Sequence, residues 1–240
     1  MCMVGGKVMM DRHAPQGLLD TAEMGYDETR AVIAQWHGKG RNHVAITPRF
    51  AITSTPEQMR AAQTLANEFP DLHIQTHLSE NDEEIRFTCE LFPEATDYTD
   101  IYARYDLLRE KSLMGHAIHL SEREADVMAQ TRAVAVHCPT SNLFLGSGLF
   151  PMKKLMRRDK PVRVATATDI GGGSSYSMLK TMDEAYKIQQ LLGERLNPLD
   201  SFYAMTRGNA EALSLADDIG TLEEGTTADL VILDAASRRR

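Results

Sequence analysis

The feature that most constrains this chain is a repeated alternation of short apolar runs with longer amphipathic stretches. Runs rich in Val, Ile and Thr stand at 43–50 (HVAITPRF), 72–78 (LHIQTHL), 113–120 (LMGHAIHL), 133–138 (AVAVHC) and 162–169 (VRVATATD). Runs this short and this apolar fit strands covered on both faces. A run over 3–10, interrupted by Gly5-Gly6, is a candidate sixth. Helical periodicity fills the intervals. Thr55 caps a helix with Pro56 at its first position and Gln58 three beyond the cap, and Met59, Ala62, Leu65, Ala66 and Phe69 share one face. Ser121 with Glu124 makes a second capping box, and 149–158 and 178–192 read as two more amphipathic helices. Asn197 before Pro198, with Asp200 beyond, opens another.

Such alternation calls for a mainly parallel sheet. A closed eight-stranded barrel typically takes about 250 residues. Here the barrel-like text ends at Asp169 after five clear strands and one doubtful one. The expected fold is α/β, an incomplete TIM-type (β/α)8 barrel over 1–215. Residues 216–240 then start a small β appendage, in which GTLEEGTTADLVILD turns on glycines and enters an apolar strand.

A net charge of -8 leaves no basic face for a nucleic-acid backbone. Lys153-Lys154 with Arg157-Arg158, and Arg238-Arg239-Arg240, read as solvated surface. No run of 18 apolar residues occurs, and the charged opening segment fits neither a membrane span nor a signal peptide. Cys2, Cys89 and Cys138 are too few and too scattered for a disulfide framework and suit a reducing cytosol, so the expected location is cytoplasmic.

Polar residues stand where the apolar runs stop. His77 closes IQTH with Glu80 just beyond, His116 lies in LMGHAIHL, His137 closes AVAVH and Asp169 closes ATATD. In a βα barrel the strand carboxyl ends converge on one mouth. Two imidazoles and a carboxylate gathered there suit a borderline ion such as zinc. For His77 and His116 a ligand role and a hydrogen-bonded core role are both open. Asp169 is costly to bury unpaired, and Glu80 can alternatively cap the following helix. His119 and His137 are closer to groups that support the site from behind, or that pack. Arg49 can grip a planar acceptor or pair on the surface, and Phe50 can stack on a ring or fill core. Gly171-Gly172-Gly173 lacks the spacing of a phosphate loop and reads as a tight turn or close approach.

The chain resembles the amidohydrolase family over essentially its whole length. The carrying stretches are GKVMMDR (6–12), TPRF (47–50), QTHLSE (75–80), LMGHAIHLSEREADVM (113–128), AVAVHCPTSN (133–142) and TDIGGGSSYSML (168–179). THLSE, HCPTSN and TDIGGG together mark the deaminases of this family, and TPRF points to guanine rather than adenosine, cytosine or an s-triazine. The resemblance implies a zinc cofactor held by His77, His116 and Asp169, from the fifth, sixth and eighth barrel strands. It implies Glu80 as proton shuttle with Asp169 assisting, Arg49 on the guanine carbonyl edge, and Phe50 lining the ring pocket. The implied reaction is hydrolysis of guanine, a small-molecule purine, to xanthine and ammonia, and the implied assembly is a homodimer. A related hydrolase of another aminated or chlorinated heterocycle, and an inactive chain that pairs with a full-length homologue, are the alternatives.

The sequence also departs from the family pattern. It has no His-x-His before His77, and the His116/His119 pair lies on a different strand and does not replace it. The motifs begin at the third barrel strand, and the family's continuation stops after Val231-Ile232-Leu233-Asp234. The expectation is a partial gene product with strands one and two missing, weak zinc binding and an inactive isolated polypeptide.

Overall fold

Six strand positions lie side by side, all parallel. The computed structural model describes residues 2–233. In it β1 (Met3–Gly5) and β2 (Val8–Met9) share one position, both pairing with β3 (Asn42–Pro48), with Met3 opposite Asn42 and Met9 opposite Pro48. Next come β4 (His73–Leu78), β5 (Ser112–His116), β6 (Val134–His137) and β7 (Arg163–Thr166). The order is β1-β3-β4-β5-β6-β7, and no pairing joins β7 back to β1 among the described residues. The sheet is an open, curled part of a barrel. Its inner face, including Val4, Ala45, Gln75, Leu113, Val136 and Ala165, encloses a cavity of about 450 Å³.

The helices start where side chains satisfy free amide hydrogens. They are α1 (Ala22–Trp36), α2 (Pro56–Glu68), α3 (Asp82–Leu91), α4 (Tyr98–Arg104) and α5 (Glu122–Thr131), capped by Thr21, Thr55, Asn81, Asp97 and Ser121. Then follow α6 (Pro139–Phe144), α7 (Met152–Met156), α8 (Met178–Leu191), α9 (Pro198–Met205) and α10 (Arg207–Ala212). The capping box at Ser121 and Glu124 is present in full, and Asn197 caps α9 with Pro198 in the first turn. Met59, Leu65, Ile74, Leu78, Ile101, Tyr102 and Met114 are fully buried between helices and sheet, each stabilising the fold by about 1.5–3 kcal/mol. Among the described residues no helix is long and apolar enough to cross a membrane.

Several elements are shorter than the apolar runs suggested. β5 ends at His116 because His116 and Ala117 take positive φ, 68° and 49°, which an extended strand excludes. The helix expected over 149–158 shrinks to α7 because Pro151 sits at its cap. The helix α1 escaped the periodicity because its buried residues are Gly25, Thr29 and Ile33, a stripe of mostly small groups. The expected C-terminal strand is absent among the described residues: 228–233 is irregular, and Ile232 is 92% exposed. Without a neighbouring edge its backbone groups have no ladder to join. Asp234 and Arg238-Arg239-Arg240 lie outside the described residues.

The break between β1 and β2 has a steric cause. A Cβ on Gly6 would lie 1.9 Å from the Ala45 carbonyl oxygen, so only glycine lets the chain pass this close to β3. Gly6→Ala is expected to destabilise the fold by about 2–3 kcal/mol, measured as a lower urea midpoint. An unchanged midpoint would show that this close approach is not required.

Candidate active site at the strand carboxyl ends

Parallel alignment places the ends of β4, β5, β6 and β7 at one rim. His77 pairs in register with Gly115, and Leu78 with His116. At that rim His77, His116 and Asp169 line the same cavity, together with Cys138. The backbone there is bent against its own preference: Ser79, His116, Ala117 and Asp169 all take left-handed φ between 46° and 68°. For residues with a side chain this costs roughly 1–3 kcal/mol each and clusters at functional sites.

Each imidazole is oriented by its Nδ1. His77 Nδ1 lies 2.7 Å from the Arg49 carbonyl oxygen, and His116 Nδ1 lies 3.0 Å from Asn142 Oδ1. A carbonyl oxygen only accepts, so both Nδ1 atoms carry a hydrogen, and the ring nitrogens left for a ligand are the Nε2 atoms. Burial first, and then the neighbouring His116, hold His77 below the ordinary histidine pKa and keep it neutral. His116 Nε2 faces Glu80 Oε2 at 3.6 Å and Asp169 Oδ2 at 4.0 Å. The two rings stand 5.3 Å apart, centroid to centroid.

His116, Cys138 and Asp169 bring donor atoms within 4.8 Å of one another. His77 stands outside that set, beside His116. Two imidazoles held through Nδ1 and a carboxylate fit a borderline divalent ion, so this is a possible metal site. Cys138 was not among the ligands expected from sequence. Burial pushes its thiol up to about 12, and its sulfur makes a long 3.5 Å contact to the Val136 carbonyl oxygen.

Glu80 caps no helix. Asn81 caps α3, and the Glu80 amide donates to Glu84 Oε2 at 3.1 Å. The Glu80 carboxylate instead turns to the rim, where Ser147 Oγ donates to its Oε1 at 2.8 Å. Ser147 is held in turn by its carbonyl, which accepts from His119 Nε2 at 2.8 Å. His119 is therefore a support for the Glu80 anchor, one of the two roles its sequence position left open. Arg49 lies at the end of β3 with its guanidinium 4.7 Å above the Phe50 ring, and Phe50 stands 5.7 Å from the His77 ring. Neither side chain is among those lining the cavity. The hydroxyl of Tyr102 ties this corner together: it donates to the His77 carbonyl at 2.8 Å and accepts from the Ala51 amide at 3.1 Å.

His137 does not join the site. Its ring faces away from the cavity and stacks on Phe150 with centroids 4.5 Å apart, and neither ring nitrogen has a hydrogen-bond partner among the described residues. The glycines after Asp169 act through close approach. A Cβ on Gly172 would lie 2.8 Å from Ser141 Oγ and 3.0 Å from Asp169 Oδ2, and one on Gly173 would lie 1.9 Å from the Thr168 carbonyl oxygen.

The buried His137 gives the fold a pH dependence. Burial lowers its pKa from 6.5 to about 3. Between those values the unfolded chain binds a proton that the folded chain refuses, so this contribution is complete above about pH 6.5 and is lost as pH falls. His137→Gln is expected to remove up to about 1.4 kcal/mol per pH unit of that slope in urea unfolding between about pH 6 and 4. An identical slope in both proteins would contradict the assignment.

The amidohydrolase family pattern matches residues 1–239. Guanine deaminase of Escherichia coli is 47% identical over 98% of this chain and 53% of that relative. The solved E. coli guanine deaminase superposes with a TM-score of 0.92 at 48% identity, covering 94% of this chain and 52% of that one. A guanine deaminase from C. acetobutylicum, solved with guanine in its active site, superposes at 0.83 with 29% identity over 92% of this chain and 53% of that one. The chain thus spans about half the length of the relatives it matches. Matched along nearly all of its own length in both sequence and fold, the chain belongs to the amidohydrolase family.

Proposed function

We propose that this chain carries guanine-deaminating chemistry, hydrolysing guanine to xanthine and ammonia with zinc as the metal. The single observation that carries the reading is the gathering of His77, His116 and Asp169 on one cavity, with the Glu80 carboxylate against His116. Guanine is favoured over other heterocycles by the 47% identity to a guanine deaminase and by Arg49 stacked on Phe50 next to His77. In this reading 1–215 is the barrel part that holds the site, and 216–240 begins a separate segment. Three unpaired cysteines suit a reducing cytoplasm.

His77, His116 and Asp169 would hold the metal. A zinc ion bound there lowers the pKa of its water toward ~7. Phe50 offers an aromatic face to the purine, and Arg49 offers parallel N–H donors to its carbonyl edge. Asp169 and Glu80 take the proton of the attacking water as its oxygen bonds to the amino-bearing carbon. Glu80 passes a proton to the adjacent ring nitrogen. The hydroxyl now on that carbon gives up its remaining proton, Asp169 and Glu80 relay it to the amino group, the carbonyl forms as the C–N bond breaks, and ammonia leaves. One water is consumed for each ammonia released. The Ser147 hydroxyl on Oε1 leaves Oε2 toward His116, so the carboxylate is aimed before substrate arrives, as electrostatic assistance requires.

The test is binding by the zinc-loaded chain, and turnover once it is joined to the family's His-x-His strand, with guanine and adenine compared. Guanine is expected to bind at least about tenfold more tightly. Arg49→Ala is expected to erase about 1.5–3 kcal/mol of that binding. Glu80→Gln is expected to keep guanine bound while slowing xanthine release roughly 100-fold or more. No preference for guanine over adenine, or no guanine bound, would contradict the reading.

A further inference from the structure

β2 and β3 leave the sheet side by side, because they pair in parallel with Met9 opposite Pro48. The chain after β2 therefore runs along the turn that follows Arg49-Phe50 and is laced to it. The Met9 carbonyl accepts the Arg49 amide at 3.2 Å, and the Thr53 carbonyl accepts the amides of Asp11 at 3.0 Å and Arg12 at 3.4 Å. The Arg12 guanidinium then spans two neighbouring carbonyls, with Nη2 2.9 Å from the Ala51 oxygen and Nε 3.0 Å from the Ile52 oxygen. Its central carbon lies 4.9 Å from the centroid of the Phe92 ring. Asp11 beside it is committed elsewhere, accepting the Thr55 amide at 2.7 Å and the Thr55 hydroxyl at the start of α2.

We propose that Arg12 is a positioning residue for purine recognition, holding the turn 51–53 so that Arg49 and Phe50 favour a base with a ring carbonyl over one without. The proposal rests on the guanine reading above and names a residue that tunes it from behind. Residue 51 is pinned from two sides, its amide by the Tyr102 hydroxyl at 3.1 Å and its carbonyl by Arg12. Pinned one residue beyond Phe50, the backbone there has little freedom, and the Arg49 guanidinium rides on the Phe50 ring at 4.7 Å. Arginine suits this place because its forked N–H groups reach two carbonyls at once, whereas a lysine ammonium is a single point of contact. The guanidinium is also partly buried, and burial lowers its pKa. Its lost hydration is offset by the two carbonyl oxygens, so the cation and the turn hold each other in place.

The test is equilibrium dialysis of the zinc-loaded chain against labelled guanine and adenine, with bound zinc counted in every variant. Arg12→Met keeps an unbranched stem against Phe92 and loses both bonds to the turn. It is expected to bind zinc as before, with guanine held at least about tenfold more weakly and adenine changed by less than about twofold. Arg12→Lys, with one bond restored, is expected to recover part of the guanine affinity. Should Arg12→Met fail to fold, Arg12→Lys carries the comparison. An unchanged preference for guanine in the folded variant, or an equal loss of both bases, overturns Arg12 as a positioning residue and leaves the guanine reading standing. No preference for guanine in the unsubstituted chain overturns both.

Discussion

Parallel pairing is the constraint from which the rest of this structure follows. Because β4 to β7 run the same way in register, the residues that end them meet at one rim, though long stretches of sequence separate them. Register matters as much as direction. The side-chain period of a strand is two, so a one-residue slip between β4 and β5 would redirect every side chain that the rim depends on. His116 departs from the parity of Leu113 and Gly115, and it reaches the cavity because its left-handed backbone ends the strand there.

The rim stores backbone strain, and the layer behind it is built to hold that strain. Tyr102, fully buried, bonds the carbonyl of His77 and the amide of Ala51, so the end of β4 and the turn after Arg49-Phe50 move as one body. Thr76 also bonds this hydroxyl, at 3.0 Å. Beneath Glu80, the carboxyl of Glu84 accepts the Glu80 amide hydrogen, and burial raises the Glu84 pKa. Above it, the Ser147 hydroxyl and His119 fix the carboxylate from the opposite loop. Hydrogen bonds of this kind each contribute about 1 kcal/mol net, which together is of the size needed to offset a few left-handed residues.

Much of this was legible in the sequence, for reasons that differ by residue. The capping signals at Thr55, Ser121 and Asn197 are local and appear as read. The strands were visible as apolar runs because both faces are covered, while their ends were not, because φ at His116 or Asp169 leaves no mark on composition. His77, His116, Glu80 and Asp169 could be singled out as polar groups closing apolar runs. The inward turn of Cys138 and the outward turn of His137 follow from period two, counted from Val136. A histidine draws the eye more readily than a cysteine, and counting parity would have separated them. The roles of Ser147, His119 and Tyr102 depend on contacts between distant loops, for which no local pattern exists. The apolar run at 230–233 illustrates the converse: strand composition makes no strand without an edge to pair with.

The claim on which the account turns is that the imidazoles of His77 and His116 and the carboxylate of Asp169 grip one ion. Anomalous diffraction at the zinc edge, on crystals of the zinc-loaded chain, measures this directly. The account predicts one strong peak within about 2.0–2.2 Å of His77 Nε2, His116 Nε2 and an Asp169 carboxylate oxygen. A fully loaded crystal whose zinc lies elsewhere, or touches only one of the three, would contradict it.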